Sequence, residues 1–376
     1  MKIAITGGAG FIGSHLTRAY LDAGHDVLVI DTLVNESSYQ NKQENNLSTV
    51  AHLTDPRARF YQIDVRDGRL STILQQERPD IVSHNVAQRE PVIPTEQALI
   101  DADVHIRGLL NVLDACISAS VSKFIFASAG NDLYTCVDMD ELPAKEDANL
   151  CPRRPSAISK VAGEWYVRYY TQQYGLAHTV LRYADVYGVG SRDDEQAVHP
   201  VNYFVKMLLE KERPVIRGTG QDRRDALFID DVVDANLRAL ERGKNVTLHI
   251  SSGQAYDLNQ FYATAAQLLS RDLVPLYVSS SKAMPTTIAL DNTRAREVLD
   301  WHPRVSLSEG VRRVVEDAQR KALSVSRSPL TFKDVEKLLE EVDTAEVDTM
   351  NRPLQEEPVY ALSGAGGTEY QSLALV

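Results

Sequence analysis

The stretch K-I-A-I-T-G-G-A-G-F-I-G-S-H, residues 2–15, decides the fold of this chain. It predicts a short apolar strand at Lys2–Thr6, a glycine-rich turn, and a helix over residues 14–23 with apolar side chains at helical spacing. A second apolar strand, residues 27–30, follows and ends in Asp31. Glycines in such a turn allow a tight bend and a close approach of the backbone to a pyrophosphate at a helix N-terminus. The order of these elements predicts a dinucleotide-binding site.

The acidic side chain of Asp31 sets the predicted cofactor. A carboxylate at the end of the second strand accepts hydrogen bonds from both ribose hydroxyls and repels a 2′-phosphate, which favours NAD over NADP. A glycine turn that binds nothing is the alternative, and the order of strand, turn, helix, strand and acid disfavours it. The predicted cofactor-binding residues in this turn are Gly7, Gly10, Phe11, Ile12 and Gly13.

Composition and charge narrow the class of protein. At 376 residues, 43% of them hydrophobic, the chain is long enough to bury one large α/β core or two smaller ones. The net charge is −12, and residues 324–376 hold half of that excess, which argues against nucleic acid as a partner. No apolar run approaches the roughly 18 residues of a membrane span. Because no signal sequence precedes the first strand, we expect a cytoplasmic protein without a membrane partner.

The three cysteines carry no recognisable pattern. Cys116, Cys136 and Cys151 are odd in number, and their spacing is not that of a metal site. We therefore expect ordinary cytosolic thiols and no bound metal.

Strands and helices alternate along the first half of the chain. Predicted strands cover residues 59–63, 81–84, 123–128 and 178–182, and predicted helices cover residues 97–118 and 156–174. This alternation predicts an α/β fold with a doubly wound parallel sheet of the Rossmann type. Residues 1–182 then form the NAD-binding domain, to which residues 226–250 return. Loops at 188–199 and 218–225 mark a smaller substrate-binding lobe over residues 183–323. Residues 324–376 are predicted to be an acidic, partly flexible extension with a candidate helix at 331–350.

Seven stretches in order resemble the extended short-chain dehydrogenase/reductases, in particular the nucleotide-sugar epimerases and dehydratases related to UDP-glucose 4-epimerase. They are T-G-G-A-G-F-I-G-S-H at 6–15, I-D-V-R-D at 63–67, H-N-V-A-Q at 84–88, K-F-I-F-A-S at 123–128, S-K-V-A-G-E at 159–164, L-R-Y-A-D-V-Y-G at 181–188 and R-D-A-L-F-I-D-D-V-V at 224–233. The resemblance spans residues 1 to about 320 and implies an NAD-dependent enzyme of nucleotide sugars.

The resemblance also implies particular contacts. Further cofactor contacts come from Asp64 and Val65 beside the adenine, Ala87 in the dinucleotide channel and Lys160 at the nicotinamide ribose. Substrate contacts come from Gln88, Asp185 and Arg224, of which Arg224 reaches a substrate phosphate. The two long helices near 97–118 and 156–174 are implied to pair across a homodimer.

The catalytic positions are where the chain departs from this family. The family carries a Tyr and a Lys four residues apart on one helix face, and the ammonium lowers the phenol pKa so that the phenol can take a hydroxyl proton as hydride leaves to NAD. Here Lys160 is present, but Ser156 stands at the tyrosine position, and a serine hydroxyl is far more weakly acidic. Gly130 stands where the family has Ser or Thr, and His105 stands where it has Asn.

A fourth departure lies in the substrate lobe. The family's Asn that contacts the nucleotide diphosphate is Asp185 in this chain. A carboxylate beside a pyrophosphate is repulsive unless a cation or protonation intervenes, which argues against a UDP-sugar as the ligand. Arg224 argues for one, because its guanidinium can pair with a phosphate.

Asp132, His105 and Lys160 form a candidate constellation that could replace the tyrosine. Asp132 lies two residues before Tyr134, where the dehydratases of this group carry an acidic base. His105, if it points inward, adds a group that titrates near neutrality. The plainer alternatives are a turn residue for Asp132, a packing or capping residue for His105 and a pocket wall for Tyr134.

Two functions remain open at this point. The first is an enzyme that uses NAD on a nucleotide sugar or a related polyol through transient hydride transfer, with relocated acid and base groups, in an epimerisation, dehydration or oxidation. The second is a catalytically silent NAD-binding protein that serves as a sensor or scaffold. The loss of three catalytic positions favours the second, whereas two ionisable replacements in one predicted pocket favour the first. We prefer the enzyme.

Overall fold

The computed structural model describes residues 1–33, 54–87, 94–190, 199–279 and 286–324. The strands are β1 Lys2–Thr6, β2 Asp26–Asp31, β3 Ala58–Gln62, β4 Ile81–His84, β5 Lys123–Ala129, β6 Ala177–Tyr183, β7 Asp185–Tyr187, β8 Val215–Arg217, β9 Arg223–Phe228, β10 Val246–Ile250, β11 Ala255–Asp257, β12 Leu276–Val278 and β13 Thr287–Ile288. The helices are α1 Phe11–Asp22, α2 Arg69–Glu77, α3 Pro94–Ala102, α4 Gly108–Ser118, α5 Pro155–Tyr174, α6 Pro200–Leu209, α7 Ile229–Ala239, α8 Leu258–Leu269, α9 Thr293–Leu299 and α10 Leu307–Ser324.

Seven parallel strands form the central sheet, in the order β10-β6-β5-β4-β1-β2-β3. Its inner strands are nearly continuous runs of buried residues, because helices cover both faces of a doubly wound sheet. The order changes direction at β1, which has β2 on one side and β4 on the other. Ligands of open α/β sheets bind in the crevice beyond the carboxyl ends of the strands at such a point. The predicted fold class is confirmed, and the glycine turn follows directly from β1.

The predicted helix over residues 97–118 is interrupted in its middle. A π-helical turn, Asp103–Arg107, joins α3 to α4 and contains His105. Turns of this kind insert one extra residue into a helix and are frequent at functional sites. The sequence pattern did not predict this interruption.

A smaller sheet lies in the second half of the described chain. Strand β9 pairs with β7, β11 and β13, and β8 pairs with β12 in a separate two-stranded sheet. The prediction of a loop over residues 218–225 is therefore wrong for its last three residues, because β9 begins at Arg223. The predicted loop at 188–199 falls mostly on residues outside the described ranges.

This part of the chain is stabilised by two buried carboxylates, Asp225 and Asp231. The sequence analysis did not single them out. Asp225 accepts hydrogen bonds from the backbone N–H groups of Ser252, Gly253 and Leu290, at 2.8, 3.0 and 3.3 Å. Burial raises the pKa of Asp225 to about 7. Asp231 accepts in the same way from two backbone N–H groups in the segment that leads to α10. Both side chains are structural, since they hold separate loops against β9 and α7.

The chain divides into two compact units, Met1–Ser328 and Pro329–Val376. The second unit contains the predicted acidic helix at 331–350, and it lies outside the described residues. The domain boundaries at 182 and 323 stay predictions. Within the described ranges, no helix combines the length and the apolar character that crossing a membrane requires.

The cysteine prediction is wrong for two of the three residues. Cys136 and Cys151 form a disulfide, with their Cα atoms 5.8 Å apart, and Cys116 is a buried free thiol. The pairing could not be seen from spacing alone, because the intervening loop folds back on itself. Thr135 Oγ1 donates to the carbonyl of Cys151 at 2.6 Å, and the N–H of Cys151 donates to the carbonyl of Leu133 at 2.7 Å. Because two of the three cysteines are paired, the cysteines no longer argue for a reducing compartment.

We expect the Cys136→Ser/Cys151→Ser double variant to lose about 3 kcal/mol of the free energy of unfolding, because the bridge no longer restricts a loop of 15 residues in the unfolded chain. Urea unfolding of wild type and variant, each with and without reductant, measures this loss. Reductant is expected to destabilise the wild type and leave the variant unchanged. Alkylation of all three cysteines in the unreduced, denatured wild type would contradict the pairing.

Candidate active site

The glycine turn leaves no room for side chains. Gly7 has a φ of +72°, a backbone conformation that favours glycine, and a Cβ on Gly7 would lie 2.7 Å from the carbonyl oxygen of Asn85. A Cβ on Gly13 would overlap the carbonyl oxygen of Gly7. Helix α1 begins after Gly10, and no side chain of the described residues caps its N-terminus. The turn therefore presents a bare helix N-terminus, which suits an anion such as a phosphate.

Asp31 is fixed beside this turn. One carboxylate oxygen accepts a hydrogen bond from the N–H of Ala9 at 2.9 Å, and the other accepts from the N–H of Leu33 at 2.9 Å. Both bonds orient a carboxylate at the end of β2, next to the helix N-terminus. This is the position that the sequence predicted for a ribose-binding acid.

Asp64 and Val65, predicted to lie beside the adenine, sit at the end of β3. Asp64 forms an ion pair with Arg66, with 2.6 Å between Nη2 and Oδ2. Val65 is buried against Gly108 at the start of α4. The carboxylate of Asp64 is therefore already engaged within the protein.

Lys160 lies over the carboxyl ends of β4 and β5. Its ammonium donates to the backbone carbonyls of Val86 at 3.1 Å and Ala127 at 2.8 Å. Burial lowers the pKa of Lys160 to about 8, although the carboxylates of Asp101 and Glu164 raise it. Ala87 follows directly after Val86 and is exposed. The Lys160 ammonium thus lies beside Val86 and close to the glycine turn, since a Cβ on Gly7 would lie 2.9 Å from the backbone nitrogen of Val86.

His105 does lie inside the protein, but the expectation that it titrates near neutrality is wrong. Its Nε2 is 3.8 Å from the carboxylate of Asp101, and both residues are buried. Burial, with a further contribution from the positive charge of Lys160, lowers the pKa of His105 to about 3. His105 is therefore a neutral imidazole at physiological pH, which forms hydrogen bonds and is a weak proton acceptor.

Two further positions carry replacements of the family's usual groups. Ser156 lies in the first turn of α5, four residues before Lys160, and is half-buried. At Gly130 a Cβ would overlap the carbonyl oxygen of Tyr183 and lie 2.8 Å from Cδ1 of Leu290. A serine therefore does not fit at position 130 with this backbone.

Tyr134 is not a wall of the pocket. It is fully buried, its hydroxyl is 2.7 Å from Nε2 of His249, and it accepts a hydrogen bond from Arg182. Arg182 also pairs with both carboxylate oxygens of Glu164, at 2.9 and 2.7 Å. The sequence analysis missed this buried pair. The signal it offered was a charged residue in the middle of an apolar strand, since β6 is buried throughout.

Asp132 and Asp185 both bind Arg224. Nη2 of Arg224 donates to Asp132 at 2.8 Å and to Asp185 at 3.1 Å, and its Nε donates to the second oxygen of Asp185. The structure therefore brings together three residues that the sequence predicted separately. Although burial raises it, the pairing with Arg224 holds the pKa of Asp185 below its usual value.

The predicted site residues thus fall into two groups. One surrounds the glycine turn and Lys160, and the other is the acidic cluster around Arg224. Gln88, predicted to contact substrate, lies outside the described residues. In the part of the chain that the structure describes, no three His, Cys, Asp or Glu side chains are arranged to hold a metal ion.

The family model described as the NAD dependent epimerase/dehydratase family matches residues 3–251. The chain therefore belongs to this family. A UDP-glucose 4-epimerase from Mycolicibacterium smegmatis is 31% identical over 323 residues, which cover 86% of this chain and 100% of that protein. A putative UDP-glucose 4-epimerase from Methanocaldococcus jannaschii is 30% identical over 313 residues, which cover 83% of this chain and 97% of that protein.

Solved structures agree with this assignment. The crystal structure of the Thermotoga maritima UDP-glucose 4-epimerase with UDP-glucose superimposes with a TM-score of 0.77 at 34% identity, covering 86% of this chain and 100% of that one. The Thermus thermophilus UDP-glucose 4-epimerase in complex with NAD gives a TM-score of 0.73 at 27% identity, covering 85% and 99%. The predicted family and its cofactor NAD are thereby confirmed.

The residues of this chain fit NAD. The Cβ-free turn around Gly7 and Gly13 admits a pyrophosphate, the uncapped start of α1 attracts it, and the oriented carboxylate of Asp31 suits a ribose. Lys160 lies in the same region, beside the ends of β4 and β5.

We expect Gly13→Ala to weaken NAD binding by about tenfold or more, which corresponds to about 1.4 kcal/mol, because the added Cβ must displace the carbonyl of Gly7. Isothermal titration calorimetry measures the dissociation constant. Gly68→Ala is the matched control, since a Cβ there meets no atom within 4 Å and its backbone is right-handed helical. Equal affinities of the two variants would contradict the role of the turn.

Proposed function

We propose that this protein is an NAD-dependent enzyme that acts on a nucleotide sugar or a related polyol through transient hydride transfer, with Lys160 in the role of the missing phenol. The observation that carries the proposal is the environment of Lys160. Its ammonium is held by two carbonyls, and its pKa is lowered to about 8.

Two hydrogen-bond acceptors are compatible with the neutral form of the Lys160 amine. A neutral amine has two N–H groups and one lone pair, so the carbonyls of Val86 and Ala127 can accept both hydrogens while the lone pair points elsewhere. A group with a pKa near the working pH is well suited to accept and return a proton. Lys160 therefore has the geometry and the pKa of a general base, which Ser156 lacks.

NAD, held by the glycine turn and Asp31, would supply a reversible hydride acceptor for the carbon that bears the substrate hydroxyl. Lys160 takes the hydroxyl proton on Nζ and returns it when the hydride comes back. His105, neutral and buried beside Asp101, acts as a hydrogen-bonding and positioning group. Asp132 is paired with Arg224, which supports a role in substrate binding and argues against proton abstraction.

A catalytically silent NAD-binding protein is the second candidate. The observation in its favour is the fit at Gly130, where the backbone excludes the serine that the family uses to hold the reacting oxygen. Both candidates bind NAD, so only hydride transfer separates them.

We expect the purified protein with NAD to form an absorbance band at 340 nm with a sugar or polyol substrate, at a rate that rises with pH through about 8 and then levels off, because the neutral amine of Lys160 is the base. Lys160→Arg keeps the charge but stays protonated, and we expect it to lose more than about 100-fold in rate.

NAD affinity, measured by calorimetry, is the control for Lys160→Arg, because a lost cofactor would also abolish the band. Tight NAD binding without a band on any of the UDP-, dTDP-, GDP- and CDP-sugars or neutral polyols would favour the silent protein. An unchanged rate in Lys160→Arg would place the base elsewhere.

We also propose that α5 forms the interface of a homodimer, as the resemblance to the family implies. Ile158, Trp165 and Tyr169 lie on one face of α5, at intervals of seven and four residues, and are 52%, 64% and 48% exposed. Leu99 on the neighbouring helix α3 is 78% exposed. A contiguous apolar and aromatic face of this kind marks an interaction surface, and a second copy of the chain offers the same face by two-fold symmetry.

We expect wild type to elute as a dimer of 41.8 kDa chains and Trp165→Arg as a monomer, because an arginine on each copy places like charges in an apolar contact. Light scattering after size exclusion measures both masses. Met139→Arg, at an equally exposed apolar residue on a turn outside α5, is the control and should remain dimeric. A dimeric Trp165→Arg would rule this face out.

A further inference from the structure

The guanidinium of Arg224 is fully engaged on one side by carboxylates. Its Nε and Nη2 bind the two oxygens of Asp185, and Nη2 also binds Asp132. Two carboxylates and one guanidinium give this cluster a formal charge of −1. The three side chains are each about one-third exposed or less, at 33% for Arg224 and 28% for each aspartate. The cluster is therefore reachable by a ligand, and it presents negative charge where the family presents positive charge.

The cluster is also held rigidly by three separate elements. Asp185 begins β7, which pairs with β9, the strand that carries Arg224. Asp132 lies in the turn Asn131–Leu133, and Asn131 donates to the carbonyl of Asp225 at 2.7 Å. The strand pairing and this buried hydrogen bond hold the backbone of Asp185 and of the Asp132 turn beside Arg224.

Among the described residues, His199 lies beside this cluster and does not restore its positive charge. His199 interacts electrostatically with both Asp185 and Arg224, but burial lowers its pKa to about 4, so that it is neutral at physiological pH. Asn131 is an uncharged amide. A diphosphate placed against Arg224 would thus meet the two carboxylates already paired with it, and like charges in a partly buried site repel strongly.

We propose that Asp185 and Asp132 determine substrate specificity by rejecting a diphosphate at Arg224, so that the site takes a neutral polyhydroxylated molecule, a free sugar or polyol, instead of a nucleotide sugar. Carboxylate oxygens accept hydrogen bonds from the hydroxyl groups of a sugar or polyol. An ionised phosphate has no hydrogen to donate to them. This inference rests on the proposed function and narrows its substrate to one of the two classes.

Calorimetry with UDP and with dTDP on the NAD-loaded, full-length protein tests the inference without relying on catalysis. We expect wild type to show no binding below millimolar concentration. Asp185→Asn keeps the shape and one acceptor but removes the charge, and we expect at least a tenfold gain in affinity for either nucleotide. The further change Arg224→Met should abolish that gain. Asp132→Asn is the second variant, should Asp185→Asn fail to fold.

Asp140→Asn is the matched control. Asp140 is an exposed carboxylate on the turn Met139–Glu141, so its removal changes the net charge equally but not the cluster. It should bind neither nucleotide, as in wild type. Micromolar binding of UDP or dTDP by wild type would overturn the inference, and so would variants at 185 and 132 that fold, bind NAD and gain no affinity.

Absorbance at 340 nm separates failure of this inference from failure of the proposed function. A band with free sugars or polyols and none with nucleotide sugars supports both. A band with nucleotide sugars alone overturns the specificity inference and leaves the enzyme intact. If no substrate gives a band, the proposed function fails, and the calorimetric comparison still decides whether the two aspartates exclude a diphosphate.

Discussion

The buried ion pair between Glu164 and Arg182 joins the helix that carries Lys160 to the strands beneath it. Both side chains are 3% exposed, and Ser128 at the end of β5 donates to the same carboxylate at 2.7 Å. Arg182 extends the network to Tyr134 and to the carbonyl of Glu146. Removing one partner of such a pair leaves an uncompensated buried charge, which costs about 3–5 kcal/mol. The position of Lys160 over the crevice, one turn before Glu164 on α5, depends on this attachment.

The two groups of predicted site residues are built in different ways on this framework. The group around the glycine turn depends on backbone geometry, on glycines and on one carboxylate, none of which the replacements at Gly130, Ser156 and His105 touch. The group around Arg224 depends on charged side chains that pair with one another, while β5, β6 and α5 keep their own buried contacts.

Sequence reasoning predicted the fold because its signals are local. The apolar runs of β1, β4 and β5 and the glycine turn before α1 each specify their own conformation within a few residues. It failed where partners are far apart in the chain. Asp132 and Arg224 are 92 residues apart, and the hydroxyl of Tyr134 contacts the ring of His249, which is 115 residues away. The π-helical turn at His105 and the disulfide of Cys136 were also missed, since each depends on how neighbouring segments pack.

Gly130 limits how the site can be re-engineered. Its backbone passes so close to the carbonyl of Tyr183 that a side chain of any size collides there. A Gly130→Ser substitution alone therefore does not place a hydroxyl beside the crevice, because the backbone near Tyr183 and the side chain of Leu290 would have to shift first. Any design that adds the family's serine to this chain has to include compensating changes at these neighbours.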